Sequence, residues 1–264
     1  MKIYKFLHEG QPRFGVLKEQ GLVRVMKGSP FEHGFEAEAA LTNESLPLAG
    51  LKLLAPTVEH PRIFGVGFNY RSHIVETGRA LPEIPPFFMK PDTSLIGSGD
   101  AIVYPRASSI VHYEAELVAV IGRKARNVSR EQALDFVLGY ACGNDVSERT
   151  IQRKEMAMGL MTVGKAFDTF APIGPCIETS VDSSDLRMLG RLNGSVVQDC
   201  RTSDLLFGVD ELVAYLSASI TLLPGDLIMT GTPGGVGPLQ PGDTFEVDIE
   251  GIGVLVNHVE AERS

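Results

Sequence analysis

IVHYEAELVAVIG (Ile110–Gly122) is the stretch from which the fold is read, because an extended chain of this composition is apolar on both faces and still carries two glutamates. Taken as one strand, it puts Glu114 and Glu116 on the face that also bears Ile110, Val118 and Val120, with Val111, Tyr113, Leu117 and Ile121 on the other. A strand apolar on both sides belongs inside a layered β structure rather than at a solvated surface. Two like charges at such a strand cost several kcal/mol each unless a cation compensates them. A divalent metal is one solution, and a solvated strand end is the other.

Working outward, YACGNDVSERTIQ (Tyr140–Gln152) reads as an apolar strand ending in Asp145 before a helix from Ser147 to about Met158. Asp145 is either a third acidic ligand or a helix-entry residue. Three carboxylates with open positions suit magnesium or manganese better than zinc, which favours His and Cys. In FNYRSHIVE (Phe68–Glu76), His73 and Glu76 are three apart. On a helical turn that spacing lets the carboxylate orient the imidazole as a general base, although His-x-x-Glu also occurs as a plain surface pair. The segment from Thr77 to Pro86 has the composition of a mobile lid. Lys90 in FFMKP and Lys165 in VGKAF both sit in apolar surroundings, as structural ion-pair partners or as donors to an enolate or carboxylate oxygen.

The rest of the chain reads as strands and turns. KIYKFLHEG, RFGVLKEQG and LVRVM suggest a small N-terminal β module over residues 1–58, and Pro56 and Pro61 bracket the passage to a main domain over 59–264. Helices are expected at Ser129–Leu138, behind a Ser-x-x-Gln capping box, and at Val209–Ser217. Two PGD turns and paired glycines punctuate the C-terminal strands. Gly159-x4-Gly164-Lys165 imitates a phosphate-binding loop, but Ala166 replaces the required Ser or Thr and a helix precedes it. The net charge of −9 argues against nucleic acid or an anionic membrane as partner. Three widely spaced cysteines without a CxxC pair argue against a disulfide framework, and no stretch reaches the length of a membrane span. A cytoplasmic location is the expectation.

In order, GVGFNYRSHIVE, FFMKP, HYEAELVAVIG, GNDVSERTIQ, GKAFDTFAPIGP and LLPGDLIMTGTPGGVG resemble the successive signature segments of the fumarylacetoacetate hydrolase family, from about Ile63 to the C-terminus. The resemblance implies an α+β, β-rich fold, a mixed β-sandwich roll, assembled as a homodimer. It implies Mg²⁺ or Mn²⁺ at Glu114, Glu116 and Asp145, and a catalytic set of His73, Glu76 and Lys165. Arg149, Gln152, Lys90, Tyr70 and Thr232 match substrate contacts. Some relatives carry Arg where this chain has Phe68, leaving Arg71 or Arg79 to meet the distal part of the substrate. The implied substrate is a small anionic 2-oxo acid, and pyruvate enolate is the leaving group in hydrolysis of a 2,4-dioxo acid and in decarboxylation of oxaloacetate alike. Alternatives are an isomerase or decarboxylase of carboxymethyl-hydroxymuconate-type diacids in aromatic degradation, and a non-catalytic oxo-acid binding protein on the same scaffold.

Overall fold

Glu114 divides the decisive stretch in two. Val111–Tyr113 and Ala115–Ile121 are separate strands of separate sheets, not the single strand expected from alternation. The cause is local hydrogen bonding: Glu114 N–H donates to Asn144 Oδ1, its carbonyl accepts from Asp145 N–H, and Ala115 N–H donates to Gln198 Oε1. With these groups taken by side chains and a loop, the ladder cannot run straight through. Alternation survives on the inner half. Leu117, Ala119 and Ile121 enter one core with Tyr140, Phe245 and Val247, while Val118 and Val120 enter a second with Ala141 and Ile173. Each Val, Leu, Ile or Phe among them contributes about 1.5–3 kcal/mol on burial.

The computed structural model describes residues 1–76, 78, 80–108 and 110–263, without the side chains of His33, Phe35, Ala37 and Glu76. A twelve-stranded mixed sheet forms the frame, beside a five-stranded and a three-stranded sheet. In the frame Ala115–Ile121 lies between Val137–Asn144 and Leu227–Met229, and the latter pairs in parallel with Ile63–Val66. The five-stranded sheet packs on the central strands of the frame. Tyr113 stacks on Phe245 of that sheet with centroids 4.3 Å apart, which anchors the chain just before Glu114. The structure is therefore α+β and β-rich, with open sheets, as the sequence implies. The N-terminal strands Lys2–His8, Gln11–Leu17 and Leu22–Met26 form where expected, and Lys2–His8 pairs with Ala171–Glu178, so their sheet is continuous with the frame.

The helices depart from expectation at their ends. Residues 130–136 form a 3₁₀ run, Ser129 makes no side-chain cap, and Val137–Leu138 already belong to a strand. The next helix is Arg149–Ala157, capped by the Glu148 carboxylate accepting from Ile151 N–H, because Ser147 and Glu148 first pair with Val111–Tyr113. Val209–Ser219 is helical as anticipated, one turn fraction longer. Among the described residues no helix is long and apolar enough to cross a membrane.

Candidate active site

The break at Glu114 brings the acids together. One carboxylate oxygen from each of Glu114, Glu116 and Asp145 lies within 4.8 Å of the others. All three residues are buried, at 7%, 1% and 1% exposure, so the solvated strand end is excluded. Cations are packed into the same place. Lys165 Nζ donates to Glu114 Oε2 at 2.7 Å and to Asp145 Oδ2, Lys90 Nζ donates to Asp145 Oδ1 at 2.6 Å, and Arg149 Nη2 donates to Glu114 Oε1 at 2.6 Å. Glu116 accepts only the Gly231 N–H, at 2.8 Å, and among the described residues no cation is in contact with it. That bond needs glycine: Gly231 has φ +98°, and a Cβ there would stand 2.9 Å from the Asn69 Cβ.

These contacts push the titrations apart. Burial by itself raises the Glu114 carboxyl, but Lys165 and Arg149 outweigh it and lower it from 4.5 to about 2. Burial raises Glu116 well above the usual range, and the Asp145 and Glu114 charges add to the rise. Burial lowers Lys90 despite Asp145, whereas Asp145 and Glu114 overcome burial to raise Lys165. A lowered folded-state carboxyl contributes stability above its unfolded value that is lost as pH falls through the folded value. The Glu114 ion pairs should therefore weaken between 4.5 and about 2. Thermal melts of metal-free protein across that window should decline in Tm, and Arg149→Gln should flatten the decline. A variant offset from wild type by the same amount at every pH would show that Arg149 does not hold Glu114 charged.

The donor set fits a hard divalent cation. It consists of oxygens, contains no thiolate or imidazole, and leaves one carboxylate, Glu116, without a cation among the described residues. Lys165 reaches Glu114 and Asp145 from a short loop whose course explains the false phosphate-binding motif. The Glu155 carboxylate accepts from the backbone N–H groups of Thr162, Val163 and Gly164 at 3.1, 2.7 and 3.0 Å. Gly164 is required by contact with the helix, since a Cβ would lie 2.7 Å from the Gln152 backbone nitrogen. The glycines and the lysine thus serve a loop turned back on its own helix.

A cavity of about 350 Å³ opens over the cluster, and its wall includes Glu114, His73, Lys165, Arg149, Gln152 and Thr232. His73 lies on the helix Arg71–Glu76, so the backbone puts positions 73 and 76 on one face; the Glu76 side chain, Thr77 and Arg79 lie outside the described residues. Gln152 Oε1 accepts from Arg149 Nη1, fixing both side chains. Thr232 donates its hydroxyl proton to the Ala115 carbonyl and accepts from Gln198 Nε2, so it is not a free donor to an oxyanion. Tyr70 is fully buried in the core and Lys90 lies beneath Asp145, so neither forms part of the cavity wall. Arg71 points to the Leu206 carbonyl instead of the cavity. Three residues were missed by sequence reading: Glu155, His112 and Arg153, the last two in the wall. Arg153 was detectable, because Arg149, Gln152, Arg153 and Met156 follow helical spacing on one face.

Comparison with known proteins agrees with this geometry. Residues 62–260 match the family model described as fumarylacetoacetate (FAA) hydrolase C-terminal, and residues 1–56 match one described as Rv2993c-like, N-terminal. A 5-carboxymethyl-2-hydroxymuconate delta-isomerase structure from Mycobacterium smegmatis is 40% identical, with TM-score 0.90 over 99% of this chain and 100% of that one. An oxaloacetate tautomerase from Xenopus laevis is 38% identical over 84% of this chain and 73% of its own. A maleylpyruvate hydrolase from Sphingobium sp. SYK-6, solved with manganese(II) and pyruvate, is 33% identical, with TM-score 0.82 and complete coverage of both chains.

Proposed function

The chain belongs to the fumarylacetoacetate hydrolase family, and from that premise we propose a Mg²⁺- or Mn²⁺-dependent enzyme that cleaves a carbon–carbon bond in a small 2-oxo acid. The bond is cut by hydrolysis of an acylpyruvate-type 2,4-dioxo acid or by decarboxylation of an oxaloacetate-type acid. The observation that carries this reading is the buried three-carboxylate cluster beneath a cavity that His73 and Lys165 also enter. The manganese and pyruvate in the maleylpyruvate hydrolase structure support it.

Glu114, Glu116 and Asp145 would hold the cation, which when bound polarises a chelating 1-carboxylate and 2-oxo group. His73 takes a proton from the water that attacks the 4-carbonyl and delivers it to the carbon that leaves. In decarboxylation the same imidazole protonates the carbon from which carbon dioxide departs. Lys165 places a fixed positive charge beside the developing oxyanion, and burial keeps that charge effective. Arg149 and Gln152 hold the Glu114 carboxylate in one orientation.

The likeness to the isomerase and the tautomerase favours a second reading, proton transfer at the carbon next to the 2-oxo group without bond cleavage. A panel of 2-oxo acids assayed with Mg²⁺ or Mn²⁺, with and without chelator, separates the readings by product. Chelator-sensitive release of pyruvate is expected. Isomerised product with all carbons retained would move the assignment to the second reading, and no turnover of any acid would overturn both.

A further inference from the structure

We propose that Glu155 is a positioning residue for Lys165: by clamping the chain over residues 162–164 onto the helix Arg149–Ala157, it fixes where the lysine ammonium stands beside the reacting oxygen. This rests on the reading above, in which Lys165 faces the developing oxyanion. Glu155 itself is not part of the cavity wall.

The chain leaving the helix has little buried apolar material to hold it. Met158, Leu160 and Val163 are 69%, 57% and 52% exposed, so burial does not fix its course. Hydrogen bonds do. The Glu155 carbonyl accepts from Met158 N–H and Leu160 N–H, both at 2.9 Å, and closes the end of the helix. Its carboxylate accepts from three successive N–H groups, those of Thr162, Val163 and Gly164, and the Lys165 N–H donates to the Thr162 carbonyl at 3.1 Å. A charged acceptor makes such bonds roughly twice as strong as neutral ones. The ion pairs of Lys165 do not replace this clamp. Its ammonium is bonded to Glu114 and Asp145, the carboxylates that would also hold the cation, so a bound metal competes for both. In the loaded enzyme the backbone position of Lys165 therefore decides where its charge stands. A misplacement of about 1 Å costs up to about a hundredfold in rate.

The test compares wild type, Glu155→Gln, Glu155→Ala, Lys165→Met and the pair Glu155→Ala with Lys165→Met, at saturating Mn²⁺, with acetylpyruvate and oxaloacetate as substrates. Glu155→Ala is expected to lower kcat about tenfold to a hundredfold, the cost typical of a group that supports another, and Glu155→Gln less, since it keeps one acceptor oxygen. In the Lys165→Met background Glu155→Ala should cost less than about twofold further, because the group it positions is gone. Hydrogen exchange over residues 162–166 should quicken in Glu155→Ala, while the strands Ala115–Ile121 and Val137–Asn144 keep wild-type protection. A full further loss in the paired variant, or quickened exchange with unchanged kcat, would overturn the proposal; the second of these decides even where Lys165→Met fails to fold. A wild type that turns over neither acid, or Lys165→Met working at the wild-type rate, would instead overturn the reading of Lys165 and the positioning role with it.

Discussion

Glu116→Gln is expected to lower Mn²⁺ affinity by more than about a hundredfold and to abolish metal-dependent turnover, while the metal-free protein melts at or above the wild-type temperature. The loss should exceed the roughly 10–100-fold cost typical of groups that only support a ligand. The unusual half is the stability. Among the described residues Glu116 is the one acid of the cluster with no cation in contact, and its neighbours are Glu114 and Asp145, so its charge is unfavourable until a metal arrives. Glutamine keeps the shape and an oxygen for the Gly231 N–H and removes that charge. A carboxyl raised in the folded state contributes stability below its unfolded value that is lost as pH rises through the folded one. The wild-type metal-free melt should therefore fall as pH rises above the ordinary carboxylate range, and this limb should be absent in Glu116→Gln. Calorimetric titration with Mn²⁺ and melts across pH check both parts. Full metal stoichiometry at unchanged affinity would remove Glu116 from the ligand set. Asp145→Ala is a poorer probe, since it strips a partner from two buried lysines at once.

His73→Ala should lower kcat by about a hundredfold to ten-thousandfold, the range for a general base, and leave Mn²⁺ affinity within about threefold. The two readouts separate roles. The side chain enters the cavity from a helix of its own, and the three acids that come together do so without it. A parallel fall in metal affinity would make His73 a ligand, and an unchanged kcat would make it a bystander in the wall. The Glu76→Gln variant should show a smaller defect in kcat alone, because the expected role of that carboxylate is to orient the ring.

How much of this could be read from the chain follows from the range of each interaction. The period of two in Ala115–Ile121 showed a strand buried on both faces, and it carried Glu116 into the interior with it. The acids, the lysines and His73 were legible because charged groups in apolar runs demand compensation, and their types narrow what can compensate them. The signature segments extended the same reading to the family.

Other features rested on partners far away in sequence. The Glu114 break depends on Asn144 and Gln198, which are 30 and 83 positions from the atoms they hold. Glu116 accepts from Gly231 N–H across 115 positions, and the Thr232 hydroxyl donates to the Ala115 carbonyl across 117. No local pattern reports such pairings, so Tyr70 in the core and Thr232 as a spent donor were invisible to alternation. The same holds for what is left over. Whether a polar group in the cavity wall stays open is decided only after every neighbouring donor and acceptor has been assigned. Periodicity in one dimension determined which strand is buried on both faces and which acids it carries; the tertiary structure decided that those acids are buried together and which polar groups are already satisfied, because hydrogen-bond partners are chosen by proximity in space.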